Sequence, residues 1–250
     1  MTTSHGSSGP QRRQARTGRG RTRRAASAPG VAGYLRSDPR RGSTTDLVTD
    51  ALREAILDGA MPPGTWIREG DLARDLSVSR TPIREALRRL DDEGLVNKTA
   101  HQGTVVASMT VEDILAVYIV RRNLEGLAAR LAANRRPAGL VAELEDNQER
   151  MRAVLDQPDK LASLNLEFHR AIRTATGNPY LERFLTQVEH AVRRIPGTTF
   201  SFRGRPEATV EEHGAVIQAI AAGDPEAADQ AARDHMTSAR DLRVRSLLGA

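Results

Sequence analysis

The chain reads as a mainly α-helical protein of two folded units, a winged helix-turn-helix followed by an antiparallel all-α bundle of about six helices. Three observations predict this. Between about residues 46 and 108, three helical stretches, the last two joined by a very short link, run into two short strand-like pieces. From about 109 to 246, apolar residues recur at helical spacing with little strand signal. Proline and glycine then cut that half at Arg136-Pro137, Gln157-Pro158, Gly177-Asn178-Pro179, Pro196-Gly197 and Gly223-Asp224-Pro225.

Residues 1–45 stand apart. They hold ten arginines and a single acid, Asp38, for a charge of +9, so the rest of a chain of net charge +5 carries −4. Rich in Gly, Ser, Pro and Arg, with almost no large apolar residues, this tail cannot bury enough surface to offset its ordering entropy. It is expected to be disordered, either as a solvated extension or as a nonspecific phosphate-binding arm. No apolar run follows its paired arginines, so it is not read as a secretory signal, and no run of 18 apolar residues predicts a membrane span. The absence of cysteine excludes disulfides, thiolate catalysis and cysteine-based zinc sites, and fits a cytoplasmic protein.

The first helix begins near Thr45, with Thr44 or Thr45 as its cap and Leu47, Val48, Ala51, Leu52, Ala55 and Ile56 as its stripe; Gly59 ends it. A short second helix within REGDLARDLSV buries Leu72, Ala73 and Leu76. After Ser77-Val78-Ser79 comes RTPIREALRRLDDEGLV, where Pro82 is tolerable only near the first turn, and either Ser79 or Thr81 caps the helix. Ile83, Ala86, Leu87 and Leu90 form its core stripe; Arg80, Arg84 and Arg88 recur along the other side. LVNK and GTVVAS make a hairpin with Gly103 near its tip. A helix of this kind fits the DNA major groove, with its N-terminal residues at the base edges, and an arginine fork suits guanine O6 and N7. Against this stands a unit total of eight basic and eleven acidic residues over 46–108. The acids, however, fall mainly on the first helix and at Asp91, Asp92 and Glu93, and are expected to lie away from the third helix's N-terminus.

The run IREGDLARDLSVSRTPIREALRRLDDEGLVNKTAHQGTVV resembles the DNA-binding domain of the GntR family of bacterial transcription regulators. The resemblance implies that Arg80 and Arg84, the adjoining Ser79 and Thr81, and the wing tip at Gln102 and Gly103 contact double-stranded operator DNA. A further arginine that some members use falls at Gly70 here, and Arg68 is the candidate to substitute.

In the second half, helical spacing sorts the histidines. His213 shares a stripe with Val216, Ile217 and Ile220; His235 aligns with Ala228, Ala231, Ala239 and Leu242; His169 aligns with Asn165 and Ile172. His190, beside Glu189, Arg193 and Arg194, reads as peripheral. Three histidines on three helices thus point inward. Imidazole suits zinc, nickel, copper or iron, but each histidine alone is more often a hydrogen-bonded core residue, and spacing by itself leaves the two roles open; zinc or nickel is the expected divalent transition metal only if the resemblance described next holds. A hydrolytic metal centre also needs a general base, and Glu167 and Glu212 are expected to point away from the neighbouring histidines. A metal sensor, with the ion itself as the signal, is a further alternative.

VRRNLEGLAARLAA, NLEFHRAI with TGNPYL, EEHGAVIQAIAAGD and AARDHM resemble the helical FCD ligand-binding domain of one large GntR subgroup. That resemblance implies a metal held by Asn165, His169, His213 and His235, with Arg121 of an R-x-x-x-E pattern helping to hold the carboxylate of a small organic acid effector. Asn165 stands where many members have aspartate. For Arg121 an intrahelical pair with Glu125 is the plainer role, and the two can coexist. The expected whole is a homodimeric, effector-responsive regulator, a repressor rather than an activator, and not an enzyme. Its tail would span 1–45, its DNA-binding domain 46–108, and its ligand-binding and dimerisation domain 109–246.

Overall fold

The computed structural model describes residues 1, 31–35, 43–99, 103–195 and 197–248. The expectation of a disordered tail therefore falls, for 2–30 and 36–42, outside the described residues, as does Gln102. One part of it is corrected. Val31–Tyr34 form a 3-10 turn, and Val31, only 1% exposed, belongs to the core of the first unit with Tyr34 and Leu35 packed against it. Val31, Tyr34 and Leu35, spaced i, i+3 and i+4, can present one apolar face to the helix that follows.

That helix, α1 (Thr44–Leu57), is capped by Ser43 rather than by Thr44 or Thr45. Ser43 and Asp46 make reciprocal bonds: the Ser43 N–H donates to the Asp46 carboxylate at 2.8 Å, and Asp46 N–H to the serine hydroxyl. Val48, Ala51, Leu52, Ala55 and Ile56 are buried as the stripe requires. A two-residue strand, β1 (Trp66–Ile67), comes next; it was not foreseen in the sequence, being too short to show alternation. Then follow α2 (Glu69–Asp75), α3 (Arg80–Asp92), β2 (Val96–Thr99) and β3 (Gly103–Val106). The strands form an antiparallel sheet in the order β1-β3-β2, with Trp66 opposite Val105 and Val96 opposite Val106. Ser77, in the link between α2 and α3, takes a left-handed conformation (φ 55°) that turns the chain sharply. Leu52, Leu72, Ile83, Leu90 and Leu95 close the core.

The second unit contains α4 (Val111–Arg135), α5 (Leu140–Arg152), α6 (Pro158–Ala175), α7 (Pro179–Arg193), α8 (Arg205–Ala222) and α9 (Pro225–Leu248). Proline occupies the first turn of α6, α7, α8 and α9, where its missing N–H costs nothing. α5 starts three residues after Pro137, behind Gly139, and α9 runs beyond Leu242. α4 packs along α9 and touches α6, α7 and α8. Its closely packed face is small (Ala128, Ala129, Ala132 and Ala133), and Phe168, Ile172, Leu185 and Ile220 fill the space around it. Among the described residues no helix is long and apolar enough to cross a membrane.

The two units meet at the end of α7. Arg193 reaches Glu54 and Asp58 of α1 and its C-cap (3.1 and 2.7 Å), and Arg194 donates to the carbonyls of Gly94 and Ala107 (2.7 and 3.3 Å).

Candidate DNA-binding face and metal centre

The α3 N-terminus is built as a cationic surface. Ser79 is the N-cap, so it and not Thr81 begins the helix, and its hydroxyl makes no capping bond. No acid occupies the first turn. Ser79, Arg80, Thr81 and Arg84 are all exposed, held outward because Ile83, Ala86, Leu87 and Leu90 are buried. The leading N–H groups add a partial positive charge suited to phosphate. Arg68 is exposed at the N-cap of α2, and Gly103 is exposed at the start of β3 with φ 108°, a conformation that strongly favours glycine.

One acid outside the first helix and the 91–93 run does reach this face: Glu69 at the start of α2 accepts from Arg84 Nε at 2.7 Å. Arg88 is also spent on its own helix, donating to Glu85 (2.7 and 3.1 Å) and Asp92 (2.7 Å). Gly70 leaves room beside Arg80, whose Nη2 lies 3.3 Å from where a Cβ at position 70 would stand.

The three inward histidines do converge. His169 (α6), His213 (α8) and His235 (α9) are buried, and one ring nitrogen of each lies within 4.8 Å of the others. His169 Nε2 and His235 Nε2 stand 3.3 Å apart. Their far nitrogens face carboxylates: His235 Nδ1 meets Glu212 at 2.6 Å, and His169 Nδ1 meets Glu125 at 3.3 Å. An ionised carboxylate only accepts, so each Nδ1 carries a proton, and the facing Nε2 atoms are the ones left to share a proton or to bind an ion. Their separation matches the ~3.3 Å expected between two ligands on one tetrahedral ion with bonds near 2.0–2.1 Å. Both ring nitrogens of His213 are buried without a hydrogen-bond partner, while its ring stacks on Phe168 (centroids 3.7 Å apart, planes at 4°). The donor set thus fits a borderline-soft divalent ion.

The electrostatics agree. Burial pushes His213 well below its ordinary value. Burial also lowers His235, to about 4, against the opposing hydrogen bond that it donates to Glu212. Both are therefore neutral, as ligation requires. Burial would raise Glu125, but the hydrogen bond from His169 and the charge of Arg121 work against it and lower the carboxyl. Burial likewise opposes ionisation of Glu212, and the bonds from His235 and Arg205 overcome that and lower it.

Arg121 is buried on α4 and contacts Glu125 at 3.4 Å, so the intrahelical pair exists, while Arg121 also lines a cavity of about 580 Å³. Asn165, half-buried one turn before His169, lines the same cavity, as do His235 and Arg205. Glu167 pairs with Arg150 at 2.9 Å, away from the histidines as expected. Glu212 does not stay away. It crosses from α8 to His235 on α9 and is gripped by Arg205 at 2.9 Å. Spacing along α8 could not reveal this, because the contact joins residues 23 positions apart. His190 is half-buried beside Arg53 and Glu93 of the first unit, so it sits at the junction rather than on the periphery.

Comparison with known proteins gives two family matches: bacterial regulatory proteins of the gntR family over residues 44–106, and the FCD domain over 116–238. The chain is 32% identical over 200 residues to a protein of Paenarthrobacter nicotinovorans described as a probable D-xylose utilization operon transcriptional repressor, covering 79% of this chain and 88% of that one. It is 24% identical over 187 residues to the HTH-type transcriptional repressor RspR of Escherichia coli, covering 74% and 82%. Among solved structures, a putative GntR transcriptional regulator from Rhodococcus sp. RHA1 superposes with a TM-score of 0.66 at 28% identity, over 84% of this chain and 99% of that one. E. coli McbR/YncC has a TM-score of 0.71 at 22% identity over 83% and 100%, a likeness of fold.

Proposed function

Since the chain belongs to the GntR family of bacterial transcription regulators, in the group whose DNA-binding domain is followed by an FCD domain, we propose that this DNA-binding regulator works as a homodimeric repressor switched by a small organic acid bound through a divalent metal. The family and the relatives are transcription regulators and not enzymes. The repressor reading draws on the names of two relatives. The dimer follows from groove geometry: two α3 helices would read the half-sites of a near-palindromic operator.

The metal reading rests on one observation above all, the facing Nε2 atoms of His169 and His235 whose outer nitrogens are both held by carboxylates. His169, His213 and His235 would hold the ion, zinc or nickel foremost, and Asn165 would offer an oxygen. A bound ion would supply Lewis acidity toward a carboxylate. Arg121 would orient the acid from the cavity wall. On the same wall lie Asp58, Gly59, Pro62 and Pro63 of the first unit. An acid in this cavity would lie where both units form the wall, and could favour one arrangement of the DNA-binding domains by its difference in affinity for the two.

The test is operator binding by the full chain, titrated with small carboxylates with and without a chelator, beside metal analysis of His213→Ala. The variant should carry less metal and lose the response to acid while still binding DNA. Operator affinity that follows free zinc or nickel alone, and ignores every acid, would make the ion the signal and overturn the acid reading.

A further inference from the structure

The arginines of α3 do not share one fate. Arg88 commits Nε, Nη1 and Nη2 to Glu85 and Asp92. Arg84 commits only Nε, to Glu69 Oε2 at 2.7 Å, across 15 residues of sequence and from a different helix. With Nε taken, the two Nη groups remain as a fork of the kind that guanine O6 and N7 accept. We infer that Glu69 is a positioning residue for operator recognition, holding the Arg84 guanidinium ready for a guanine edge. This rests on the reading that Arg84 faces operator DNA.

Three features of the site support it. The Arg84 side chain is 63% exposed and Glu69 34%, so the pair adds little to fold stability and its effect falls on the arginine's orientation. A long side chain free in solution loses rotamer freedom on binding, and one already tethered loses less. Glu69 opens α2 immediately after exposed Arg68 and just before Gly70, whose missing Cβ gives Arg80 its space. The first turn of α2 therefore borders two of the recognition arginines. The carboxylate acts in a second way. It repels phosphate, so it penalises any DNA register in which Arg84 is pulled from its partner to a phosphate. Glu69 thereby favours specific binding and disfavours nonspecific binding, an opposition that a purely structural residue does not produce.

The experiment uses the full-length protein and two duplexes: one selected by the wild-type chain from a randomised pool, and a scrambled duplex of the same composition. Affinities for both are measured at several salt concentrations, with the thermal midpoint of each variant as a control. Glu69→Ala should lower the ratio of selected to scrambled affinity by tenfold or more, with scrambled affinity unchanged or raised. Glu69→Gln, which keeps an accepting oxygen and loses the charge, should raise scrambled affinity and keep more of the ratio than alanine does. Arg84→Ala separates the two levels of the argument. If it loses more than tenfold on the selected duplex while Glu69→Ala stays within twofold in ratio, the positioning role is wrong and the recognition face stands. An equal fall of Glu69→Ala on both duplexes likewise makes the residue structural and overturns the inference. If Arg84→Ala binds both duplexes as the wild type does, the recognition face itself is wrong, and the role of Glu69 falls with it.

Discussion

Asn165 sets how firmly the three histidines would hold an ion. Its amide oxygen is neutral, so in the proposed site all the first ligands are uncharged, and the nearest anions, Glu125 and Glu212, are already engaged with His169 and His235. Asn165→Asp should tighten metal binding by about tenfold or more, the scale on which changes around a metal act. Competition with a fluorescent chelator measures it, and an unchanged affinity means that residue 165 does not touch the ion. The same histidines give the metal-free protein a defined acid response. An unfolded chain takes up protons at its histidines below about 6.5, whereas folded His235 resists until about 4 and His213 until still lower. Between those values the unfolded state binds more protons, so stability is fully present above about 6.5 and falls as pH drops, by roughly 1.4 kcal/mol per pH unit for each histidine. Thermal midpoints of chelator-treated protein from pH 7.5 to 4.5 should show that fall, and His213→Ala should flatten it.

At the scale of elements, α7 is where the second unit reaches the first. Its last turn ends in Arg193 and Arg194, which bind α1 and the carbonyls flanking the sheet, and Arg193 and Arg194 also line the cavity. Arg194→Ala should cost about 1–3 kcal/mol in denaturant melts, because two carbonyls lose their donor. It should leave operator binding measurable and weaken the operator's response to effector. A full response in the variant would mean that the signal travels by another route. The helices themselves were legible because their period, prolines and glycines are local. α6, α7 and α9 start at the expected breaks, at Pro158, Pro179 and Pro225. What escaped were features whose cause lies elsewhere in the chain: β1, which is a strand only because β3 pairs with it, and the turn at Val31, which folds only because α1 offers it a core. The cap at Ser43 was local and could have been read from the Ser43–Asp46 spacing.

For the whole molecule, the N-terminal segment divides at Val31. Removing residues 1–30 takes away Arg12, Arg13, Arg16, Arg19, Arg21, Arg23 and Arg24, and should leave the thermal midpoint unchanged. The slope of DNA affinity against salt should become shallower by about 0.9 for each phosphate that those arginines neutralise. An unaltered slope supports an inert extension. Cutting on through residue 42 also removes buried Val31, and should cost up to about 1.5–3 kcal/mol in stability.

The amino-acid sequence alone determined the order and extent of the helices, the cationic face of α3, and the three histidines that point inward. All of these follow from residue type and from a period of 3.6 or 2, which any stretch of chain carries within itself. Only the tertiary structure decided that two histidines turn their Nε2 atoms toward each other, that Glu125 and Glu212 stand behind them, and that Glu69 grips Arg84. Those contacts join side chains 15, 23, 44 and 66 positions apart. Helical spacing says which way a side chain leaves its own helix; what it meets there depends on how the helices pack.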